Sequence, residues 1–465
     1  MRAVTDATDS VPEVRHRGFR PYPKYTESGV EWLGEIPEHW ESKAVKRQFR
    51  VVNGSTPKSG AAENWDGDIP WVTPDDLGKM NDRVINEPSR HLTRKGYESC
   101  GTQMVRAGSL VLSTRAPIGH LGIAGTAVCT NQGCRSLVFR RLGDERYFYF
   151  QLHAARPVLE AAGRGSTFKE LGSEDLQSTE LAVPPLYEQR VIADFLDGET
   201  AKIDALLAKK ERLIELLQEK RTALVTRAVT RGLDPNVPMK DSGVQWLDKI
   251  PAQWQLGPLK RISPEITVGV VVNPSTYVQT EGVPFLYGSD IREGRAVAAT
   301  ARRMSDEDSK SLSKSRLSAG DLVCVRVGAP GVTAVISPEL EGANCASVLI
   351  VRHASTFDSQ WLCYAMNSRI VRHQVELVQY GAAQEQFNVA HAVEFVVPLA
   401  PASEQREIAA FLDLRTTKLD ALVTKIREAV DHLKEFRTTL ISAAVTGKID
   451  VRDAPDQATT QGGAL

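Results

Sequence analysis

Long apolar runs are absent from this 465-residue chain, and nothing in it approaches the roughly 20 consecutive apolar residues that a membrane span needs. Met1 to Arg20 is polar and mixed in charge, without the apolar stretch of a secretory leader. The six cysteines (Cys100, Cys129, Cys134, Cys324, Cys345, Cys363) show no Cys-x-x-Cys spacing and read as reduced, mostly buried thiols of a cytosolic protein. The nine histidines form no ligand-spaced cluster, so no metal is expected. An excess of one charge is missing too: 57 Lys and Arg face 58 Asp and Glu, for a net charge of −1.

Catalytic motifs are equally scarce. There is no GxxxxGK(S/T) loop to seat a nucleotide triphosphate. An adenine methyltransferase would need a glycine-rich cofactor loop and an Asn-Pro-Pro-aromatic motif; Asn273-Pro274-Ser275-Thr276 fails at its third and fourth positions. Asp75-Asp76 returns in the second half only as Ser289-Asp290, which fits a turn better than a metal site. The chain reads as non-catalytic, with no cofactor of its own.

What is present is a repeat. Ser28-Gly29-Val30-Glu31-Trp32-Leu33-Gly34-Glu35-Ile36-Pro37-Glu38-His39-Trp40 returns 214 residues later as Ser242-Gly243-Val244-Gln245-Trp246-Leu247-Asp248-Lys249-Ile250-Pro251-Ala252-Gln253-Trp254. Glu188-Gln189-Arg190 and Phe195-Leu196-Asp197 return after 216 residues as Glu404-Gln405-Arg406 and Phe411-Leu412-Asp413. The residues between these anchors diverge widely. A kept frame with changed filling implies two different recognition surfaces in one mount.

The fold class expected is α+β, with two domains separated by two long helices that form an antiparallel coiled coil. The boundaries are an N-terminal extension (1–24), a first domain (25–186), a first helix (187–234), a second domain (235–402), a second helix (403–450) and a disordered tail (451–465). Candidate strands are Leu110 to Ser113, Ile118 to Ala124 and Ser136 to Phe139, answered by Asp321 to Val327, Val332 to Ile336 and Ser347 to Val351. Helical stretches follow around Tyr147 to Ala161 and Ser359 to Leu377. In the second long helix apolar residues alternate at spacings of three and four: Leu419, Leu422, Ile426, Ala429, Leu433, Phe436, Leu440. The first repeats this as Ile203, Leu206, Lys210, Leu213, Leu217, Lys220, Leu224, so two lysines interrupt the seam. Either lysine could fix register or simply snorkel. A helix of about 40 residues reaches roughly 60 Å.

Local charge is less even than the total. Arg90 to Arg141 carries eight bases and one acid, whereas Arg302 to Arg352 carries seven bases and six acids. The first segment could serve phosphates or be a solvated basic face.

The doubled Gly-Val-(Glu/Gln)-Trp-Leu-x-x-Ile-Pro-x-x-Trp openings resemble the DNA-specificity subunit of type I restriction-modification systems. So do Tyr187-Glu188-Gln189-Arg190 after Pro184-Pro185 and Glu404-Gln405-Arg406 after Pro401. Asn53-Gly54-Ser55-Thr56-Pro57-Lys58, leading to Trp65 and Ile69-Pro70-Trp71-Val72, is similar to the start of that family's target-recognition domains, and Gly165-Ser166-Thr167 and Gly381-Ala382-Ala383 fit as well. The resemblance covers about Tyr25 to Asp450. It implies that each domain reads one half of a bipartite, asymmetric site in double-stranded DNA. It also implies that the helices set the spacer and dock two methyltransferase subunits, with motor-nuclease subunits completing the complex. S-adenosylmethionine, ATP and Mg2+ then belong to those partners, and the location is the prokaryotic cytoplasm, without a membrane.

Arginine and lysine hold phosphates, arginine forks onto guanine, and asparagine or glutamine forks onto adenine. On that chemistry the candidate DNA contacts are Lys58, Thr73, Arg90, Arg94, Lys95, Arg115, Ser166, Thr167 and Lys169 in the first domain. In the second they are Arg292, Arg302, Arg303, Lys314, Arg316, Arg326 and Gln384. Trp32, Trp40, Trp246 and Trp254 belong to the repeated frame and read as packing residues. Two other readings stay open: an adaptor whose coiled coil joins two protein-binding heads, and an enzyme acting alone on nucleic acid.

Overall fold

A computed structural model describes residues 19–80, 82–165, 169–380 and 387–452. Ser166, Thr167 and Gln384 lie outside the described residues, as does the segment beyond Arg452 read as a disordered tail. The chain divides into two compact units, Met1–Lys209 with Ala429–Leu465, and Lys210–Glu428. Each therefore combines one domain with a piece of both long helices.

In the first unit the repeated opening folds as a hairpin, Tyr25–Glu27 against Glu35–Pro37, that buries Leu33, Ile36 and Trp40. A five-stranded sheet follows in the order Phe49–Asn53, Cys134–Phe139, Leu110–Ser113, Leu121–Ala124, Val84–Ile85. All its pairings are antiparallel except the last. A three-stranded sheet places Trp65–Val72 between Cys129–Thr130 and Arg90–Leu92. The core joins the larger sheet to Glu145–Ala154 and the start of the first long helix through Leu110, Leu137, Tyr147, Phe148, Ile192 and Leu196. The expected helix from Tyr147 to Ala161 is two helices, Glu145–Ala154 and Arg156–Ala162. Pro157 lies in the first turn of the second, where its missing N–H costs nothing; inside one continuous helix it would remove a hydrogen bond.

The second unit rebuilds the plan. Its hairpin pairs Met239–Val244 with Leu247–Pro251 and buries Leu247, Ile250 and Trp254. Its large sheet runs Ile266–Val268, Val348–Val351, Leu322–Val325, Thr333–Val335, Gly294–Ala296, Ile291–Arg292, and its small sheet places Val283–Leu286 between Asn344–Cys345 and Arg302–Met304. The six cysteines are free and five are buried; burial pushes the thiols of Cys129, Cys345 and Cys363 up to about 12.

The repeated Glu-Gln pair ties each domain to the helix that follows. Gln189 accepts from the Asp144 N–H at 3.0 Å and donates to the Pro184 carbonyl at 2.8 Å. Gln405 accepts from Asp358 N–H at 2.8 Å and donates to the Ala400 carbonyl at 2.8 Å. Glu188 is fully buried, taking bonds from the Tyr22 hydroxyl (2.6 Å) and meeting His39 (2.9 Å), while Glu404 takes the Trp254 indole N–H at 2.9 Å. Burial and the Glu188 carboxylate push the Tyr22 phenol well up.

The long helices are Leu186–Arg231 and Ala402–Val445. In the first unit Glu188 lies 3.9 Å from Arg452, just beyond the second helix, and Asp204 lies 2.9 Å from Arg437. In the second unit Arg221 lies 3.0 Å from Asp420, and Gly232, just past the first helix, lies beside Glu404. Low numbers meet high ones within each unit, so the pairing is antiparallel.

The seam itself needs a correction. Ile203, Leu217, Leu224, Leu419, Ile426, Leu433 and Leu440 face inward as expected, but Leu206, Leu213, Leu422 and Phe436 are between 42% and 49% exposed. The residue after each faces inward instead: Leu207, Ile214, Val423 and Arg437. Adjacent apolar residues offered two overlapping stripes, and the stripe actually buried carries an arginine in each helix, which disguised it. Arg221 and Arg437 are equivalent positions, as are their partners Asp420 and Asp204. Lys210 is half-buried on this seam, whereas Lys220 is exposed.

Candidate nucleic-acid interface

Two glycines set the backbone course beside the loop that follows the first sheet strand in each domain. A side chain at Gly54 would collide with the Thr130 and Asn131 backbone, and one at Gly269 with that of Cys345. The close crossing lets Ser55 N–H donate to the Thr130 carbonyl at 2.9 Å, and Val270 N–H to that of Cys345 at 2.9 Å. These bonds align the loop after the first sheet strand in the two domains: Thr56 with Val271, Pro57 with Val272, Lys58 with Asn273.

Beside this loop each domain lays an arginine on an aromatic ring. Arg90, opposite Trp71 in the sheet register, places its guanidinium 3.6 Å from the Trp65 ring centre, and Trp65 packs edge-on against Trp71 at 5.1 Å. Arg302, opposite Phe285, sits 4.1 Å over Tyr287, which packs against Phe285 at 5.1 Å. The Trp65 and Trp71 indoles donate to the Ser59 and Ser55 carbonyls, so the rings are fixed. A cation held on a ring face at an exposed site gains roughly 0.5–1 kcal/mol and keeps its N–H edge available. Among the described residues neither arginine has a carboxylate partner. Each can therefore present a fork of donors to a phosphate or to a guanine edge.

The other candidates divide sharply. Lys58 and Lys169 are exposed. Arg94 pairs with Glu98 within its own short helix, and Lys95 lies 3.5 Å from Glu63. Arg115 meets Glu170 at 3.2 Å, where the following loop is joined by the Leu171 N–H to the Thr114 carbonyl. Thr73 does not project a free hydroxyl. It caps the helix Pro74–Lys79, donating to the Asp76 carboxylate at 2.6 Å and accepting from the Asp76 N–H at 3.3 Å. Although burial opposes it, hydrogen bonds from Ser89 and Thr73 hold the Asp76 carboxyl below its ordinary value. Asp290 does the same work in the second domain, accepting from Tyr287 N–H and the Thr300 hydroxyl, so Asp76 and Asp290 build turns, as the sequence suggested.

In the second domain Arg292 donates to the Ser289 and Ile291 carbonyls, Arg303 to that of Gly282, and Arg326 to that of Phe387. Lys314 and Arg316 are exposed, and their carbonyls receive the guanidinium of Arg352, which also pairs with Asp321 at 2.7 Å. Arg302 and Arg303 thus share a strand with the ring-stacked position, whereas Lys314 and Arg316 are drawn together around Arg352.

Residue type alone passed over two residues that stand among these candidates. Tyr287 aligns with Thr73 at the same offset as the hydrophobic turn segments, a signal that an alignment of the repeats exposes. Arg135 stands opposite Asn53 in the sheet and donates to the Gln132 and Cys134 carbonyls; burial lowers its affinity for its proton. The frame tryptophans pack: Trp40 and Trp254 are buried, Trp32 donates to the Glu180 carbonyl, and Trp246 lies against His373.

Residues 37–216 match the type I restriction modification DNA specificity domain. The chain is 33% identical over 189 residues to the MjaIX specificity subunit of Methanocaldococcus jannaschii, a match covering 40% of this chain and 43% of that one. It thus spans less than half of that relative. With the EcoBI specificity subunit of Escherichia coli the identity is 23% over 433 residues, covering 91% of this chain and 89% of the other. A solved chain from a study of complex assembly and conformational transition of the type I R-M system superposes with a TM-score of 0.68 at 16% identity, over 89% of this chain and 99% of that one; this likeness speaks for the fold. In these likenesses, as in its two α+β domains and paired long helices, the chain is similar to the specificity subunits of type I restriction-modification systems.

Proposed function

We propose that this chain is the non-catalytic subunit that gives a type I restriction-modification complex its DNA sequence specificity. Each domain reads one half of a bipartite, asymmetric site, and the paired helices set the unread spacer and dock methyltransferase subunits. S-adenosylmethionine is held by those methyltransferase partners, and ATP with Mg2+ by motor-nuclease subunits. The complex works in the cytoplasm.

One observation carries this reading: in two domains that otherwise differ, an arginine at the same register of the small sheet lies on an aromatic ring, Trp65 in the first and Tyr287, from a different position, in the second. Two similar phosphate or guanine clamps set in different surroundings suit two unlike half-sites on one duplex. Heads reading one face of a duplex are spaced by about one helical turn, roughly 34–36 Å, or a multiple of it.

The test is co-expression with the neighbouring methyltransferase subunit, followed by mapping of modified adenines across a host genome. Modification confined to one split motif is the expected result. A stable complex that marks no motif would sink the reading in favour of an adaptor. Methylation by this chain alone would overturn its non-catalytic character.

A further inference from the structure

Three valines stand out on the candidate contact surface of the second domain: Val271 is 52% exposed, Val272 77% and Val327 55%. A valine that open to water gains nothing from the fold, since its methyls remain solvated. Two of them occupy the loop that aligns with Thr56 and Pro57. The third follows Arg326 after the central strand Leu322–Val325, at the position where the first domain carries Arg115 after Thr114.

Their neighbours in the chain pack around Tyr287, the ring under Arg302. Val270, just before the pair, packs in the same small cluster as Phe285 and Tyr287. Gly288, next to Tyr287, runs against Val325 and the carbonyl of Val327. Asn273 adopts a left-handed backbone, φ 43°, and turns the chain sharply after Val272. The apolar positions thus adjoin the residues packed around Tyr287, the ring that carries Arg302, and Val327 follows Arg326 in the chain. Arginines suit a polyanion better than the apolar face of a protein partner.

We infer that Val271, Val272 and Val327 recognise thymine methyl groups in the major groove of the half-site read by the second domain. Thymine is the one base that offers an apolar group there, its C5 methyl, and small apolar side chains are its natural complement. The first domain has no apolar residue at the positions aligned with Val271 and Val327: Thr56 is bonded to Gln132 and Arg115 is paired with Glu170, while Lys58, aligned with Asn273, is exposed. The inference rests on the DNA-reading function proposed above and names what one half of that site contains.

Deoxyuridine in place of thymidine removes only the C5 methyl, leaving the pairing edge intact. The chain, assembled with its methyltransferase partner, is titrated with duplexes carrying the mapped motif, with uracil placed in one half-site or the other. The expected result is a loss of affinity of about fourfold per buried methyl in one half-site only. A Val271→Ala, Val272→Ala, Val327→Ala triple variant binds the thymine duplex more weakly and no longer distinguishes it from the uracil duplex. Val271→Thr, which keeps a methyl, retains the discrimination. Affinity indifferent to uracil in both halves overturns the inference, as does discrimination that survives in the triple variant, or a motif without thymine in either half. If the unsubstituted motif binds no better than random DNA, the DNA-reading function falls first, and that is visible before any uracil is introduced.

Discussion

At aligned positions the candidate contact surfaces of the two domains carry different chemistry on one backbone course. Where the first domain shows Thr56, Lys58 and Arg115, the second shows Val271, Asn273 and Val327, yet Gly54 and Gly269 make the same crossing and Gln189 and Gln405 the same two bonds. What is kept is bonded to backbone inside the fold; what varies is more exposed and bonded, where it is bonded at all, to other side chains, as Thr56 is to Gln132 and Arg115 to Glu170. Buried groups are constrained by packing and by the cost of an unpaired polar atom, whereas exposed ones answer only to whatever docks.

The sharpest way to break that division is to truncate a frame residue and an exposed one in parallel. Trp254 is fully buried, so Trp254→Ala is expected to destabilise the second unit by about 3–5 kcal/mol. Denaturant unfolding should register this, while Val272→Ala stays within roughly 0.5 kcal/mol. Equal effects would abolish the distinction. Next in size, Gln405→Ala strands the Asp358 N–H and the Ala400 carbonyl and should cost about 1–3 kcal/mol, with Gln189→Ala matching it in the first unit.

On the varying side, Arg90→Ala and Arg302→Ala should leave unfolding nearly untouched and weaken DNA binding. If an arginine forks onto guanine, the loss is about 1–3 kcal/mol and confined to one base position; if it holds a phosphate, it is uniform across sequences and lowers the salt slope by about one. A fluorescence titration over several salt concentrations separates the two, and a loss seen only in unfolding would place these arginines in the frame.

The smallest effect concerns protons. Burial, with Arg437 and Arg156 nearby, lowers the pKa of His153 below its ordinary 6.5. The unfolded chain then binds a proton more readily than the folded one, so this contribution is full above 6.5 and lost as pH falls through the lowered value. The aligned position in the second domain is Asn367, fully bonded to Thr333 and Cys363, which cannot titrate in that range. Unfolding followed from pH 7 to 5 should show a decline that His153→Asn reduces.

Much of this was legible in the sequence because the repeat doubles every signal. The hairpin cores, the glutamine ties and the long helices stand at fixed offsets, and a buried position must satisfy the same constraint twice. The site was less legible. Thr73 and Arg115 are residue types that serve a helix cap or an ion pair as readily as a ligand, and only the partner, Asp76 or Glu170, decides. The seam slipped by one residue at alternate positions because Leu206 beside Leu207 and Leu213 beside Ile214 satisfy either stripe. The deciding residues, Arg221 and Arg437, look polar until Asp420 and Asp204 are placed opposite them. Exposed valines carry no signal at all in composition.

The glutamine ties have an evolutionary corollary. Each sits at the threshold where a domain hands over to its helix, and it grips main-chain atoms, which every sequence possesses. Under the function proposed above, genetic recombination within the segments encoding these thresholds would trade one head for another and change the sequence read, while the rest of the chain keeps its packing.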